Sequence, residues 1–403
     1  MIRSSRTSLR FANEGKIDKL DLFLNEYFRV EQAYVGILWK AKMEDARFSV
    51  PSLLPKDMTE KVETWISARA RQCAGKQASG VVRGTFPSLI KMEYKHKMLV
   101  QKGCHRKARK LQTKIERLRT EGPTLNKFAA ELDGRFVEIS AKKETVFDMW
   151  LDLSSLGDKL KISIPLRKTR HFNNLSVKGE IKDGVRISKD GVTFMFDIKE
   201  PDKKIEGKVV GVDIGIKAVV SLSDGFQSGK DKHGWDLDGI QDRISRREKG
   251  GKGFERTQAH RKNHINWCLN QVDLSDIKRI NIEKLKNMRR GKGTSRKLSH
   301  WTYTLIFDKL NRLAEEHGVR AVEVDPAYKS RRCAKCGWVC EGNRKGRNFK
   351  CRRCGHAADA DLNASVNIAL DLPLTGKEEQ RLYHSGEGFL WTTVGQESIV
   401  PVT

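Results

Sequence analysis

The sequence predicts a multidomain α+β protein: one strand, a long helical block, a β-rich module that reads as a small barrel, and an α/β unit with an inserted four-cysteine ribbon. Three observations predict it. Apolar spacing changes from helical to alternating after about Phe128. A short apolar strand opens a new unit at Lys208, just past the linker-like Pro201-Asp-Lys-Lys. Five of the eight cysteines fall between Cys333 and Cys354. A chain of 403 residues has room for two or three domains, because single hydrophobic cores stop growing below this length.

In chain order, the first dozen residues give one strand. Ile17–Ala46 then reads as helix, with Leu20, Leu22, Phe23, Tyr27 and Phe28 recurring on one side. Ser52-Leu-Leu-Pro55 interrupts it, and a second helical stretch from Thr59 to Cys73 precedes a glycine-bearing loop around Gly75 and Gly80. Lys91–Arg119 is helical and basic. Leu111, Ile115 and Leu118 form its apolar stripe, while Arg106, Lys107, Arg109 and Lys110 crowd the other faces with almost no acidic partners. Such a run is either a solvated amphipathic face or a phosphate contact, and the missing acids favour the second. Strands follow at Arg135–Ile139, Met149–Leu153, Lys161–Pro165, Val185–Ile187 and Val192–Ile198, with Asp183-Gly184 and Asp190-Gly191 as turn signals. The charged glycine segments Lys249–Gly253 and Arg289–Gly293 read as mobile loops.

Charge narrows the partner. Seventy-eight Lys and Arg against 51 Asp and Glu leave a net charge of +27. A field of this sign draws polyanions and gives sequence-independent affinity through counterion release at phosphates. A membrane surface is the rival. No apolar run approaches the roughly 20 residues that span a bilayer, and Met1–Arg10 lacks the apolar core of a secretory signal, so the expected compartment is the cytoplasm. Cys73, Cys104 and Cys268 are scattered. That is not a disulfide framework, and it points to metal binding in a reducing compartment.

Three carboxylates stand out. Asp213 sits in the buried-strand pattern Val209-Val-Gly-Val-Asp213-Ile-Gly, where a lone charge costs several kcal/mol unless paired or bound to a cation. Glu283 ends the strand Ile277-Lys-Arg-Ile-Asn-Ile-Glu283. Asp361 begins a helix in Ala358-Asp-Ala-Asp361-Leu-Asn363, where it is either an N-cap or a ligand, with Asp359 as its rival. Together the three suit an RNase H-like sheet whose carboxylates converge at one edge. Two divalent ions held about 4 Å apart by such a cluster can activate water and stabilise the leaving oxygen of a phosphodiester. Mg²⁺ prefers these hard oxygen ligands.

Cys333-Ala-Lys-Cys336 and Cys351-Arg-Arg-Cys354 have the spacing of two chelating knuckles around one structural zinc, and Gly337 and Gly355 suit the tight turns. Cys340 is an extra thiol, taken as a bystander. Arg331, Arg332, Arg352 and Arg353 are among the basic residues around the knuckles, and Glu341 is the acid there. A knob this basic should touch nucleic acid.

The segments Gly211-Val-Asp213-Ile-Gly-Ile-Lys, Asn281-Ile-Glu283 and Asp361-Leu-Asn-Ala-Ser-Val-Asn-Ile resemble the three RuvC motifs of TnpB proteins and the related compact type V CRISPR effectors. The resemblance implies a metal-binding triad of Asp213, Glu283 and Asp361 holding two Mg²⁺, an order of Asp, Glu, Asp that differs from the cut-and-paste transposases. It also implies a zinc ribbon at 331–355 serving as the target-nucleic-acid-binding insertion, approached through Val324-Asp-Pro-Ala-Tyr-Lys-Ser. Many relatives carry Gln and a small residue where this chain has Arg331-Arg332. By the same resemblance, 1–13 and 128–203 form a wedge β-barrel and 14–127 an inserted helical recognition domain. Residues 208–330 and 356–372 form the RuvC nuclease domain, and 373–403 a C-terminal tail.

The activity so implied is RNA-guided endonuclease cleavage of double-stranded DNA, in transposition or as a compact CRISPR effector. The partners would be a guide RNA, the target duplex and its displaced single strand, threaded past Arg243, Arg246, Arg247, Arg256, Arg261 and Lys262. Two alternatives are a guided DNA-binding protein without cleavage and an unguided resolvase-like nuclease. A tyrosine transposase is disfavoured, since the sequence holds no His-x-His metal pair. The tail holds no recognised motif: its Leu390-Trp391 either docks on the body or is disordered, and the resemblance offers, as a conjecture, a tail that answers to constraints on an overlapping RNA more than to folding.

Overall fold

A computed structural model describes residues 1–126, 129–141, 145–215, 218–285 and 302–393. The second half of the motif at Ile216-Lys217, the glycine segment Arg289–Gly293 and the end of the tail lie outside the described residues. The chain divides into two compact units between Lys199 and Glu200, beside the predicted linker. Among the described residues no helix is long and apolar enough to cross a membrane.

The first unit begins with β1 (Ile2–Ser8), followed by α1 (Glu14–Glu44), α2 (Lys56–Thr59), α3 (Ala68–Gln101) and α4 (His105–Glu121). Asn13 caps α1 by accepting from the Lys16 amide at 3.1 Å. Leu20, Phe23, Leu24, Tyr27, Tyr34, Val35 and Leu38 bury one stripe of the helix. The predicted loop at Gly75 and Gly80 is instead the middle of α3. Ala70, Ala74, Gly75, Ala78, Ser79 and Val82 make a seam of small buried residues packed in one core with α1. A Cβ at Gly75 would stand 3.0 Å from Leu54 Cδ1, so small size is what close packing requires there, not a turn. The helix predicted from Thr59 starts only at Ala68, capped by Ser67. The basic stretch divides at Gly103 into the end of α3 and α4.

Six strands follow: β2 (Ala130–Leu132), β3 (Val137–Ser140), β4 (Met149–Leu153), β5 (Ile162–Leu166), β6 (Gly179–Ser188) and β7 (Gly191–Ile198). They form two antiparallel sheets, β1-β7-β6-β2 and β3-β4-β5. Pro165 is tolerated because β5 is an edge strand. Asp190-Gly191 lies at the β6–β7 turn as predicted, but Asp183-Gly184 is a bulge within β6, where the register slips between Ile181 and Val185. The sequence reading missed α5 (Arg170–Lys178), capped by Thr169.

In the second unit a sheet runs β11 (Arg320–Val324), β10 (Ile277–Glu283), β8 (Lys208–Asp213) and β9 (Ser221–Leu222), the first three parallel and β9 antiparallel. Val210, Val212, Ile280 and Ile282 are buried, as inner parallel strands demand. Helices α6 (Leu237–Ser245) and α7 (Lys252–Leu269) lie between β9 and β10, and α8 (Tyr303–Glu316) precedes β11. The ribbon comprises β12 (Trp338–Val339), β13 (Arg344–Lys345), β14 (Asn348–Lys350) and β15 (Ala357–Asp359), and α9 (Ala360–Ala369) leaves it. The tail adds α10 (Lys377–Ser385) and β16 (Phe389–Leu390).

Candidate nuclease and zinc sites

Parallel pairing puts two of the three carboxylates side by side. Ile282 faces Val212 in the β10–β8 ladder, so Glu283 and Asp213 follow at the carboxyl ends of adjacent strands, which lie roughly 5 Å apart. Asp361 arrives on the first turn of α9, whose backbone rests directly on β8. A Cβ at Gly211 would fall 2.0 Å from Ser365 O and 2.3 Å from Ala369 N, so only glycine lets this helix come so close. Asn281, fully buried, donates through Nδ2 to Ile368 O at 3.0 Å and Ala369 O at 3.1 Å, tying the end of α9 to β10. Tyr303 on α8 donates its hydroxyl to Glu283 O at 2.6 Å and fixes the end of that strand.

Asp359, not Asp361, is the N-cap. Its Oδ1 accepts from the Asp361 amide at 2.9 Å and the Leu362 amide at 3.3 Å, and Arg347 stands 3.1 Å from its other oxygen. Burial opposes this charge, but the Leu362 and Asp361 amides and Arg347 hold its pKa below the usual range. Asp361 is thereby released from capping and faces a different cation, Arg344 Nη2 at 2.8 Å from its Oδ1.

Negative charge in this cleft is undercompensated. Burial, then the charges of Glu283 and Asp361, pushes Asp213 well above the carboxylate range. Burial raises Glu283 to about 7, against the pull of Lys329 and Arg344. Hard oxygen ligands repelling one another in a low-dielectric surround are the setting a divalent cation relieves. The three carboxylates fit Mg²⁺ in donor type, although their oxygens do not close as tightly as the cysteine ligands.

Those ligands do close. Among the described residues, Cys333, Cys336, Cys351 and Cys354 are the one group whose ligand atoms all lie within 4.8 Å of one another. The Sγ pairs Cys333–Cys354 and Cys336–Cys351 are 3.7 and 3.6 Å apart. Gly337 and Gly355 turn the knuckles at φ 76° and 73°, donating to Cys333 O and Cys351 O. Burial raises Cys333 and Cys336. Against the same pull, the His356 amide and the other three thiols draw Cys354 down to about 7, towards the thiolate a metal needs. Cys340 stands outside the group, with its Sγ 4.0 Å from Gly386 O.

The predicted phosphate contacts divide. Arg106, Lys107, Arg109 and Lys110 are exposed on α4; Arg247, Lys262, Arg352 and Arg353 are exposed in the second unit, the last over the Trp338 ring at 5.2 Å. Arg246 is exposed but paired with Asp242, and Arg331 donates to Glu341 O and Arg344 O. Two predictions are corrected. Arg261 is buried in the α7 face and has protein partners. Arg332 is buried too, donating to Trp391 O at 2.8 Å and Asn367 Oδ1 at 2.7 Å. Charge patterning cannot tell a guanidinium that binds carbonyls from one that meets solvent. The reading also missed the roles of Arg344 and Lys329. Arg344 appears in sequence only as one more basic residue near the cysteines, and topology alone carries it to Asp361.

Residues 303–368 match the family described as the Cas12f1-like TNB domain. The chain is 36% identical over 143 residues to the CRISPR-associated endodeoxyribonuclease Cas12f1 of Sulfoacidibacillus thermotolerans, covering 35% of this chain and 31% of that protein. It is 34% identical over 113 residues to a TnpB-like protein of Aquifex aeolicus strain VF5, covering 24% and 36%. These matches span about a third of the relatives' own length. Among solved structures, the mini RNA-guided endonuclease CRISPR-Cas phi3 aligns over 93% of each chain with a TM-score of 0.54 and 12% identity, a likeness of fold.

Proposed function

We propose that this chain belongs to the TnpB family together with its Cas12f1 relatives and is an RNA-guided DNA endonuclease that hydrolyses phosphodiester bonds at Asp213, Glu283 and Asp361. The observation that carries the reading is the convergence of these carboxylates from β8, β10 and α9 beneath the Arg344 cation. The finer architecture belongs to the same proposal: a wedge barrel at 1–13 and 128–203, a recognition domain at 14–127, a RuvC domain at 208–330 and 356–372, and a zinc ribbon at 331–355.

Two Mg²⁺ ions, when bound, would supply an activated water and a Lewis acid at the leaving oxygen. The chain's own residues set the terms. Asp213 and Glu283 give up protons to bind a cation, so their raised pKa values make occupancy pH-dependent. Asp359 caps α9 so that Asp361 need not. Arg344 places a guanidinium where phosphate charge builds. A zinc held by the ribbon would be structural, since all four residues that would hold it are protein thiols. Exposed arginines and lysines of α4 and the ribbon hold guide RNA and DNA backbones.

The test is to co-express the chain with its flanking genomic sequence, sequence the co-purified RNA, and challenge a matching DNA library. RNA- and Mg²⁺-dependent cutting by the native chain and not by Asp213→Ala supports the reading, and the RNA sequence tells a transposon end from a CRISPR array. A defined RNA bound without cutting makes the protein a guided binder. Cutting without RNA makes it an unguided nuclease.

A further inference from the structure

The segment after α9 is built into the second unit. Its β16 pairs antiparallel with β12 of the ribbon, Leu390 opposite Trp338 and Phe389 opposite Val339. The Trp391 amide donates to Gly337 O at 3.0 Å, at the turn of the first knuckle. Trp391 Nε1 donates to Pro373 O at 3.2 Å and closes the segment on itself. Tyr328, on the approach to Cys333, packs against Tyr383 at 4.6 Å and Phe389 at 5.7 Å. With Val339 and Trp391 these rings make a small apolar core between tail and ribbon.

The buried Arg332 guanidinium joins three parts through its donors: the first knuckle at Cys333 O (3.3 Å), α9 at Asn367 Oδ1 (2.7 Å) and the tail at Trp391 O (2.8 Å). Asn367 and Asn363, one turn apart on α9, both donate to Arg332 O, at 2.7 and 2.8 Å. The Trp391 ring lies 5.6 Å from the Lys329 ammonium, the cation that most offsets the burial of Glu283. A cavity of about 490 Å³ opens beside it, lined by Asp325, Lys329, Leu372, Thr375, Gln380 and Trp391. The tail therefore walls a cavity that it shares with Lys329, the residue whose charge acts on Glu283.

The ribbon has little core of its own, Cys333, Phe349 and Cys351 packed with Ala360 of α9. A module so small is fixed in place by what it docks on. Its β12 would otherwise be a two-residue edge.

We infer that Leu372–Trp391 is a brace that holds the ribbon in register with the carboxylates, and that Arg332 and Trp391 are positioning residues, Arg332 acting through α9 and Trp391 through Lys329. This rests on the nuclease reading. It also reverses the expectation that the tail answers mainly to RNA constraints.

Three proteins test it: a chain ending at Asp371, Trp391→Ala, and Trp391→Phe. The first two should keep guide RNA and bind target as the native chain does, while single-turnover cleavage falls about tenfold or more, the cost of small misplacements at a reacting centre. Trp391→Phe, which keeps an aromatic ring beside Lys329, should cut close to the native rate, and a synthetic peptide of residues 372–393 should restore the truncated chain. Native cleavage by the chain ending at Asp371 overturns the brace. Loss of RNA and target binding along with cleavage overturns it too, by making the segment a general fold element. If the native chain cuts no guided target, the nuclease reading fails. Hydrogen exchange of Arg331–Lys345 without nucleic acid then decides the brace: faster exchange on truncation upholds it, and unchanged exchange overturns it.

Discussion

The four-cysteine cluster takes its ligands from one short stretch, Cys333 to Cys354, and closes them within 4.8 Å. The carboxylate cluster gathers Asp213, Glu283 and Asp361 from two strands and a helix far apart in sequence. A structural site must be full, whereas a catalytic one must stay open to substrate. The first can be encoded by local spacing. The second exists only when the sheet has formed, and loses its function without losing its fold.

The largest effects should separate the two sites on that line. Asp213→Ala removes one ligand of the open site, and cleavage should fall by about a thousandfold or more, a barrier rise of about 4 kcal/mol, with guide and target binding retained. Cys333→Ser removes one ligand of the closed site, and zinc content, protection of 331–355 from protease, and cleavage should fall together. A Cys333→Ser protein that keeps a protected ribbon would break the comparison.

Gly211→Val attacks assembly of the open site and leaves its ligands intact. The added side chain would meet the backbone of α9 at Ser365 and Ala369. Displacing a packed helix places this among the severe point mutants, above about 4 kcal/mol, and thermal melting should show the second unit unfolding early. An unchanged melting curve would mean that α9 does not rest on β8.

How far this could be read from sequence follows the same division. The start of β8 at Lys208, the strand ending at Glu283 and both knuckles are local patterns, and each lies where the sequence places it. The α3 seam fails as a reading because Gly75 and Gly80 carry loop propensity but serve close packing in a long helix. Arg332 and Arg261 fail because burial of a cation depends on distant carbonyls and neighbours. Asp359 and Asp361 stay ambiguous in sequence, and only the amide hydrogen bonds assign the cap.

Two buried glutamates sharpen the contrast between a proposed metal-site carboxylate and one in a packed core. Glu31 on α1 and Glu283 are each raised to about 7 chiefly by burial. In both, the folded state holds a proton that the unfolded chain releases near 4.5, so stability falls as pH rises from about 4.5 to about 7 and stays low above it. The loss is about 3 kcal/mol for each, in its own unit. With metal chelated, Glu31→Gln and Glu283→Gln should each flatten the pH dependence of melting. Mg²⁺ should remove the native loss at Glu283 and leave that at Glu31. A loss at Glu283 that ignores Mg²⁺ would place that carboxylate outside the metal site.

The smallest effect is expected at the link between the two clusters. Arg344 leaves the ribbon at β13 and ends on Asp361, so it acts on the open site from the closed one. On the proposed nuclease reading its guanidinium would have two opposed consequences: it would compete with a cation for Asp361, and it would offer charge to a phosphate in the transition state. Arg344→Ala should therefore lower the Mg²⁺ concentration needed for half-maximal cleavage while lowering the plateau rate about ten- to a hundredfold, about 1–3 kcal/mol. Target binding should be unchanged, because one partly buried arginine adds little to an interface of many phosphates. An unchanged plateau with a lower Mg²⁺ midpoint would reduce Arg344 to a placeholder for the cation, and the ribbon would then touch the chemistry only through its hold on DNA.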